Sequence, residues 1–130
     1  MIFGVGTDII RIARIESALD RHGERFMQKI LGIDEQAIYR QRYALSKTRG
    51  VRYLATRFAA KEAFSKAAGF GMRPPMSWHV LQLLNVSTGK PLPIIAGDMK
   101  KFMGDNALTA HISITDENDY AVAFVILEKK

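Results

Sequence analysis

Two carboxylates and one ammonium have surroundings unlike those of ordinary surface charges. Asp8 closes the stretch IFGVGT, in which Gly4 and Gly6 leave one side of an extended chain almost bare, so that something can approach that backbone closely. Glu62 is the one acidic residue between the pair Asp34-Glu35 and Asp98, and it stands four residues before Lys66 among Phe58, Ala59, Ala63 and Ala67. A hard cation such as Mg²⁺ takes one or two carboxylates and completes its shell with water and substrate phosphate. Asp8 and Glu62, brought together, would supply that pair, and Lys66 would offer a point charge to a phosphate oxygen. Each residue also has a plainer reading. Asp8 alone reads as a helix N-cap or turn aspartate. Glu62 and Lys66 alone read as a surface i,i+4 pair worth ~0.3–0.5 kcal/mol. The small and apolar neighbours favour the chemical reading, because a carboxylate and an ammonium taken out of water need strong partners.

Three further groups could bind anions. His111 lies on the polar side of an alternating segment together with Ser113. It suits either a half-exposed strand histidine or a phosphate contact. Gly89-Lys90-Pro91 forms a tight basic turn, which a nucleotide could approach closely. Arg14, Arg21 and Arg25 fall with Arg11 in one sector of roughly 80° on a helical wheel, apart from an apolar sector of roughly 60° that holds Ile12, Ile15, Leu19, Phe26 and Ile30. Gly4-Val5-Gly6 is not a dinucleotide fingerprint, since Ile9 stands where the third glycine is needed.

The elements that must position these groups follow from periodicity. Residues 2–8 read as a strand, and 12–31 as a helix that Gly23 weakens or kinks. Asp34 is expected to cap a second helix, 36–45, followed by a polar connection over 46–50. Residues 51–68 form an Ala- and Leu-rich helix that Gly69 ends, and 69–77 form a loop around Pro74-Pro75. Then come a strand over 78–86, a turn over 88–91, a short strand over 92–95 and a short helix over 97–103. The last two strands, 108–115 and 121–127, flank a turn at 116–119 and form a hairpin, and the continuously apolar final strand is covered on both faces. Helices and strands are segregated. The fold class is therefore α+β, an antiparallel sheet with helices packed on one face, in a single domain spanning residues 1–130.

Composition bounds the function. No window approaches the ~20 apolar residues of a membrane span, and the start has no basic n-region, so a signal peptide is not expected. The absence of cysteine excludes disulfides and thiolate sites and fits a cytoplasmic protein. The net charge of +6 attracts acidic partners. Six basic residues and no acidic one lie between Ile38 and Ala60, which prompts a rival reading as a small nucleic-acid-binding protein. That rival lacks an RNP-like strand motif, a helix-turn-helix signature and zinc ligands. A second rival is a non-catalytic subunit-contact protein.

Three blocks, IFGVGTDII, RFAAKEAFSKA over 57–67, and the later TGKP and HISIT, together resemble the 4′-phosphopantetheinyl transferase family in its small bacterial branch, the holo-acyl-carrier-protein synthases. The middle block matches the family signature F-A-x-K-E-A-x-x-K, and the similarity is collinear over nearly the whole chain. One departure is Asp116, which follows HISIT where a second histidine is common, so no catalytic role is assigned to it. The resemblance implies transfer of 4′-phosphopantetheine from coenzyme A to a serine of acyl carrier protein, in support of fatty acid biosynthesis. It implies Mg²⁺ on Asp8 and Glu62, and Lys66 on the phosphate in transfer. It implies Arg57 and His111 on the nucleotide's phosphates, and Gly89, Lys90 and Pro91 beside the adenosine. It implies Arg14, Arg21 and Arg25 as the dock for the acidic carrier protein, and a homotrimer with sites between subunits. The base that takes the serine proton stays open between Glu62 and a water on the metal.

Overall fold

After a register shift between Ile2 and Gly4, the alternation of residues 4–11 carries on through Asp8. In the computed structural model, which describes residues 1–130, β1 runs Ile2–Arg11 and its Asp8 is an interior position, not the end of the strand. α1 (Ile12–His22) and α2 (Glu24–Ile30) divide the expected single helix at Gly23, whose φ of +64° only glycine adopts readily. α3 (Ile33–Leu45) starts after Gly32, so Asp34 lies in its first turn and is not the cap; the Glu35 carboxylate accepts from the Gly32 N–H at 2.9 Å instead. α4 (Lys47–Ala68) begins a turn earlier than the Gly50 boundary suggested, because Ser46 Oγ caps it by accepting from the Arg49 N–H. β2 (Leu81–Asn85), β3 (Pro91–Ile95), α5 (Gly97–Asp105), β4 (Leu108–Asp116) and β5 (Tyr120–Lys129) complete the chain.

All pairing is antiparallel, as the segregated pattern requires, but the strands divide into a three-stranded sheet ordered β1-β5-β4 and a separate β2-β3 hairpin. β5 is central and paired on both edges, but within one chain only one of its faces is fully covered, not both as its continuously apolar sequence suggested. Its Ala121, Ala123, Val125 and Leu127 face the core, while Phe124 on the opposite side is exposed. α4 lies across the inner face of this sheet and is buried on nearly every side, as its alanines over 55–68 dictate. The bare side of β1 meets this helix, not a ligand. Methyl groups at Gly4 and Gly6 would collide with the carbonyl oxygens of Ala67 and Ala63. The two glycines therefore let strand and helix backbones touch, and that contact sets the distance between Asp8 on the strand and Glu62 on the helix.

Candidate functional site

Strand and helix place three of the expected groups together. Asp8, Gly4, Gly6 and Ile10 share the β1 face that meets α4. On α4, Glu62 and Lys66 lie one turn apart. The expected Glu62–Lys66 pair does not form. Lys66 Nζ donates to Asp8 Oδ1 at 3.1 Å and to the Thr7 carbonyl at 3.0 Å. Glu62 is half-buried. Burial pushes its carboxyl pKa above the ordinary range, the nearby Asp8 carboxylate pushes it further the same way, and Lys66 opposes them. Two acids on separate elements thus converge, with one ammonium between them and bulk water. No third acidic or imidazole group joins them. This donor set fits a hard cation that keeps open positions for water and phosphate.

A groove of ≈ 390 Å³ is lined by Ile10 of β1, Arg14, Ile15 and Arg21 of α1, Phe26 of α2 and Phe58 of α4, and neither acid lines it. Ile10 is two residues from Asp8, and Phe58 is one turn from Glu62. Arg14 and Arg21 thus border a partly apolar groove whose lining shares β1 and α4 with the two acids. Arg25 lines a separate hollow with Arg21, His22 and Lys29. The wheel of an unbroken helix put the three arginines in one sector, and the break at Gly23 keeps Arg21 and Arg25 adjacent.

His111 is not brought to the acids within one chain. It lies on the outer face of β4, exposed, with its Nε2 3.0 Å from Glu128 Oε1. The same outer face carries Val5 and Ile9 of β1 and Phe124 of β5, all exposed, whereas Phe3, at a register shift between Ile2 and Gly4, packs edge-on against Phe102.

Arg57 corrects an expectation. Only 3% of it is exposed, so it is not a free phosphate ligand. Its Nε donates to the Leu83 carbonyl at 3.0 Å, Nη1 to Thr56 Oγ1 at 3.1 Å and Nη2 to Asn85 Oδ1 at 2.7 Å, and its guanidinium carbon lies 4.0 Å from the centre of the Tyr53 ring. Asn85 Nδ2 in turn donates to the Gly89 carbonyl at 2.7 Å. The turn of Gly89, Lys90 and Pro91 is thus tied to α4. The basic run over 38–60 is likewise no open cationic stripe. Arg40 pairs with Glu24, Lys47 with Asp20 and Glu16, and Arg52 with Asn118 and Asp116, while Arg42 lies over the Tyr53 ring at 4.9 Å; with Arg57 taken as well, only Arg49 has no side-chain partner.

A fully buried ion pair escaped the sequence reading. Lys61 Nζ donates to Glu35 Oε1 at 2.6 Å, to the Ile30 carbonyl at 2.6 Å and to the Trp78 carbonyl at 2.8 Å. Glu35 also accepts from the N–H of Leu83 at 2.8 Å. Burial lowers the Lys61 pKa, and Glu35 opposes that shift. One signal was available: a lysine inside a helix that is alanine-rich all round must be buried, and a buried lysine needs an acid.

Known proteins resemble this chain in sequence and in fold. Residues 4–125 match the model of the 4′-phosphopantetheinyl transferase superfamily. The holo-[acyl-carrier-protein] synthase of Herminiimonas arsenicoxydans is 58% identical over 130 residues, all of both chains. The crystal structure of the holo-[acyl-carrier-protein] synthase of Neisseria meningitidis superposes with a TM-score of 0.91 at 35% identity, over 99% of this chain and 100% of that one. That of Bacillus anthracis, in complex with CoA (3′,5′-ADP), gives 0.84 at 36% identity, over 100% and 99%.

Proposed function

This chain belongs to the 4′-phosphopantetheinyl transferase superfamily, and we propose that it moves the 4′-phosphopantetheine arm of coenzyme A to a serine of apo-acyl carrier protein, in the cytoplasm, with Mg²⁺ as its cofactor. The observation that carries this reading is the convergence of Asp8, Glu62 and Lys66 where β1 meets α4. In the reaction the serine oxygen forms a bond to the β-phosphorus, the bond from that phosphorus to the bridging oxygen breaks, and adenosine 3′,5′-bisphosphate leaves with the electron pair. Asp8 and Glu62 would hold Mg²⁺, which when bound supplies positive charge to the pyrophosphate oxygens and the departing phosphate. Such a transfer needs positioning and charge neutralisation more than covalent help.

The chain's own groups divide that work. Lys66, 51% exposed at its side chain, swings from Asp8 to the phosphate in transfer. Glu62, or a water beside it, takes the serine proton. Arg14, Arg21 and Arg25 draw in the acidic carrier protein and fix its orientation. Gly89, Lys90 and Pro91 meet the adenosine half. His111 contacts a nucleotide phosphate from a neighbouring subunit of a homotrimer. Its place on the face opposite α4, which also carries the exposed Val5, Ile9 and Phe124, supports that arrangement.

The test is a mass measurement of apo-carrier protein after incubation with this chain, coenzyme A and Mg²⁺. A gain of one phosphopantetheine arm that chelation prevents is expected; an unchanged mass refutes the reading. Light scattering at three times the chain mass, 14.6 kDa, tests the trimer. Calorimetry tests the nucleic-acid rival, which needs salt-sensitive binding of random DNA or RNA and none of coenzyme A.

A further inference from the structure

The β2-β3 hairpin is built so that one of its edges faces the helices with free peptide groups. In its register Leu83 stands opposite Pro93 and Asn85 opposite Pro91. Prolines have no N–H, so these positions do not carry the ladder. The peptide groups of Leu83 point away from β3, toward α3 and α4. There its N–H is accepted by Glu35 Oε2 at 2.8 Å and its carbonyl is met by Arg57 Nε at 3.0 Å. Two buried side chains thus stand in for a neighbouring strand. Further along, Arg57 Nη2 grips Asn85 Oδ1, and Asn85 Nδ2 grips the Gly89 carbonyl, both at 2.7 Å. The turn itself is closed by Val86 N–H to the Lys90 carbonyl at 2.9 Å and Gly89 N–H to the Val86 carbonyl at 2.8 Å, with Gly89 at φ +92°.

We propose that Arg57 and Asn85 are positioning residues for the donor substrate: they fix the 86–90 turn through the chain Arg57–Asn85–Gly89, so that Gly89 and Lys90 present a preformed surface to the nucleotide half of coenzyme A. The inference rests on the reading above that this turn meets the adenosine side. Arg57 suits the task because its fork reaches three acceptors at once, on β2, α4 and Asn85, which a lysine cannot do. Asn85 is the relay because its amide both accepts from Arg57 and donates to Gly89.

A turn that loses its tether samples other conformations, and apparent affinity falls by the fraction of time spent in the competent one. Asn85 is exposed, so its variants should fold. Calorimetry with adenosine 3′,5′-bisphosphate on the intact protein is expected to show affinity weaker by roughly 5- to 10-fold in Asn85→Ala, the scale of one lost ordering hydrogen bond. Asn85→Asp keeps the acceptor for Arg57 but loses the donor to Gly89, and should be weakened at least as much. In transfer assays the KM for coenzyme A should rise by a similar factor, while the KM for carrier protein and kcat stay within about twofold. Lys90→Ala separates the two levels of the argument. If Lys90→Ala leaves affinity for the bisphosphate unchanged, the turn does not meet the nucleotide and the proposal falls with that reading. If Lys90→Ala weakens binding but both Asn85 variants bind as the parent does, the positioning role alone is refuted.

Discussion

Replacing Gly6 by alanine should separate the two acids by pushing the strand off the helix. A methyl carbon built at Gly6 would lie 2.8 Å from the Ala67 nitrogen and 2.9 Å from the Ala63 carbonyl carbon, and would overlap the Ala63 oxygen. Ordinary contacts of such a carbon begin near 3.4 Å. Clearing the nitrogen alone therefore needs a retreat of 0.6 Å (3.4 less 2.8), and clearing the oxygen needs more, so β1 must move by on the order of 1 Å. The obstacle is helix backbone, held by its own hydrogen bonds, and cannot rotate away as a side chain would. Overpacking of this kind costs about 2–3 kcal/mol, or roughly 6–12 °C in Tm for a chain of this length. Asp8 is two residues along the same strand face and moves with it. A misplacement of about 1 Å in a positioned group lowers transfer by on the order of 10²-fold. The assays are a thermal melt and the rate of phosphopantetheine transfer. Gly104→Ala is the control: its added methyl meets nothing within 4 Å, so Tm should hold or rise slightly. If Gly6→Ala melts and turns over as Gly104→Ala does, the strand–helix contact does not set the acid pair.

Glu62→Gln should abolish Mg²⁺-dependent transfer and leave the fold intact, with unchanged or slightly raised Tm, because it removes a desolvated charge beside Asp8; full activity would refute the metal role. The same raised pKa sets a pH dependence. Above the ordinary carboxylate range and below the folded pKa of Glu62, the folded chain holds a proton that the unfolded chain has lost, so the Glu62 contribution to stability falls as pH rises through that window. Mg²⁺ must displace that proton, so its apparent affinity should weaken as pH falls through the same window, as calorimetry would show; a pH-independent affinity contradicts the assignment. Arg14→Glu with Arg21→Glu should raise the KM for carrier protein and barely change that for coenzyme A, and an equal effect on both tells against the docking groove. Lys61→Met should destabilise the chain by about 3–5 kcal/mol in urea titrations, since it strands Glu35 as an uncompensated buried charge; a loss under 1 kcal/mol would show that the pair is not what joins α3 to α4.

The parts of the fold set by local periodicity were legible: β1, the alanine-rich helix, the final hairpin and the apolar central strand. So was the pairing of Asp8 with Glu62, because unusual neighbours marked both. What escaped was decided by contacts between distant segments. Gly23 reads only as a weak spot, and its φ of +64° depends on how α2 packs. Nothing near Gly4 or Gly6 says whether a ligand or a helix uses the bare backbone. The basic run looked like an open surface because its partners, Glu24, Asp20, Glu16 and Asp116, lie elsewhere in the chain. Arg57 has the residue type of a phosphate ligand, and only burial shows that its fork is already taken.

Residues 61 and 62 are neighbours with opposite fates, and the contrast shows how stability and chemistry are divided in this fold. Lys61 points into the core, where one carboxylate and two carbonyls satisfy it, and the helix gains a fixed attachment to α2, α3 and β2. Glu62, turned 100° around the same helix, points to the seam with β1, where the nearest charge that it meets on the strand is another acid. Two carboxylates held together in a half-buried seam oppose folding. Lys66 offsets part of this, and it does so with an exposed, flexible side chain that can leave. The repulsion that remains is tolerable because the backbone on both sides is fixed independently, by the glycine contact and by the Glu35–Lys61 pair. A cation held by both acids, as proposed above, would relieve that repulsion, and its binding would then draw on repulsion already present in the free chain. A surface pair of acids on a mobile loop would relax apart before the metal arrived and would hold it more weakly.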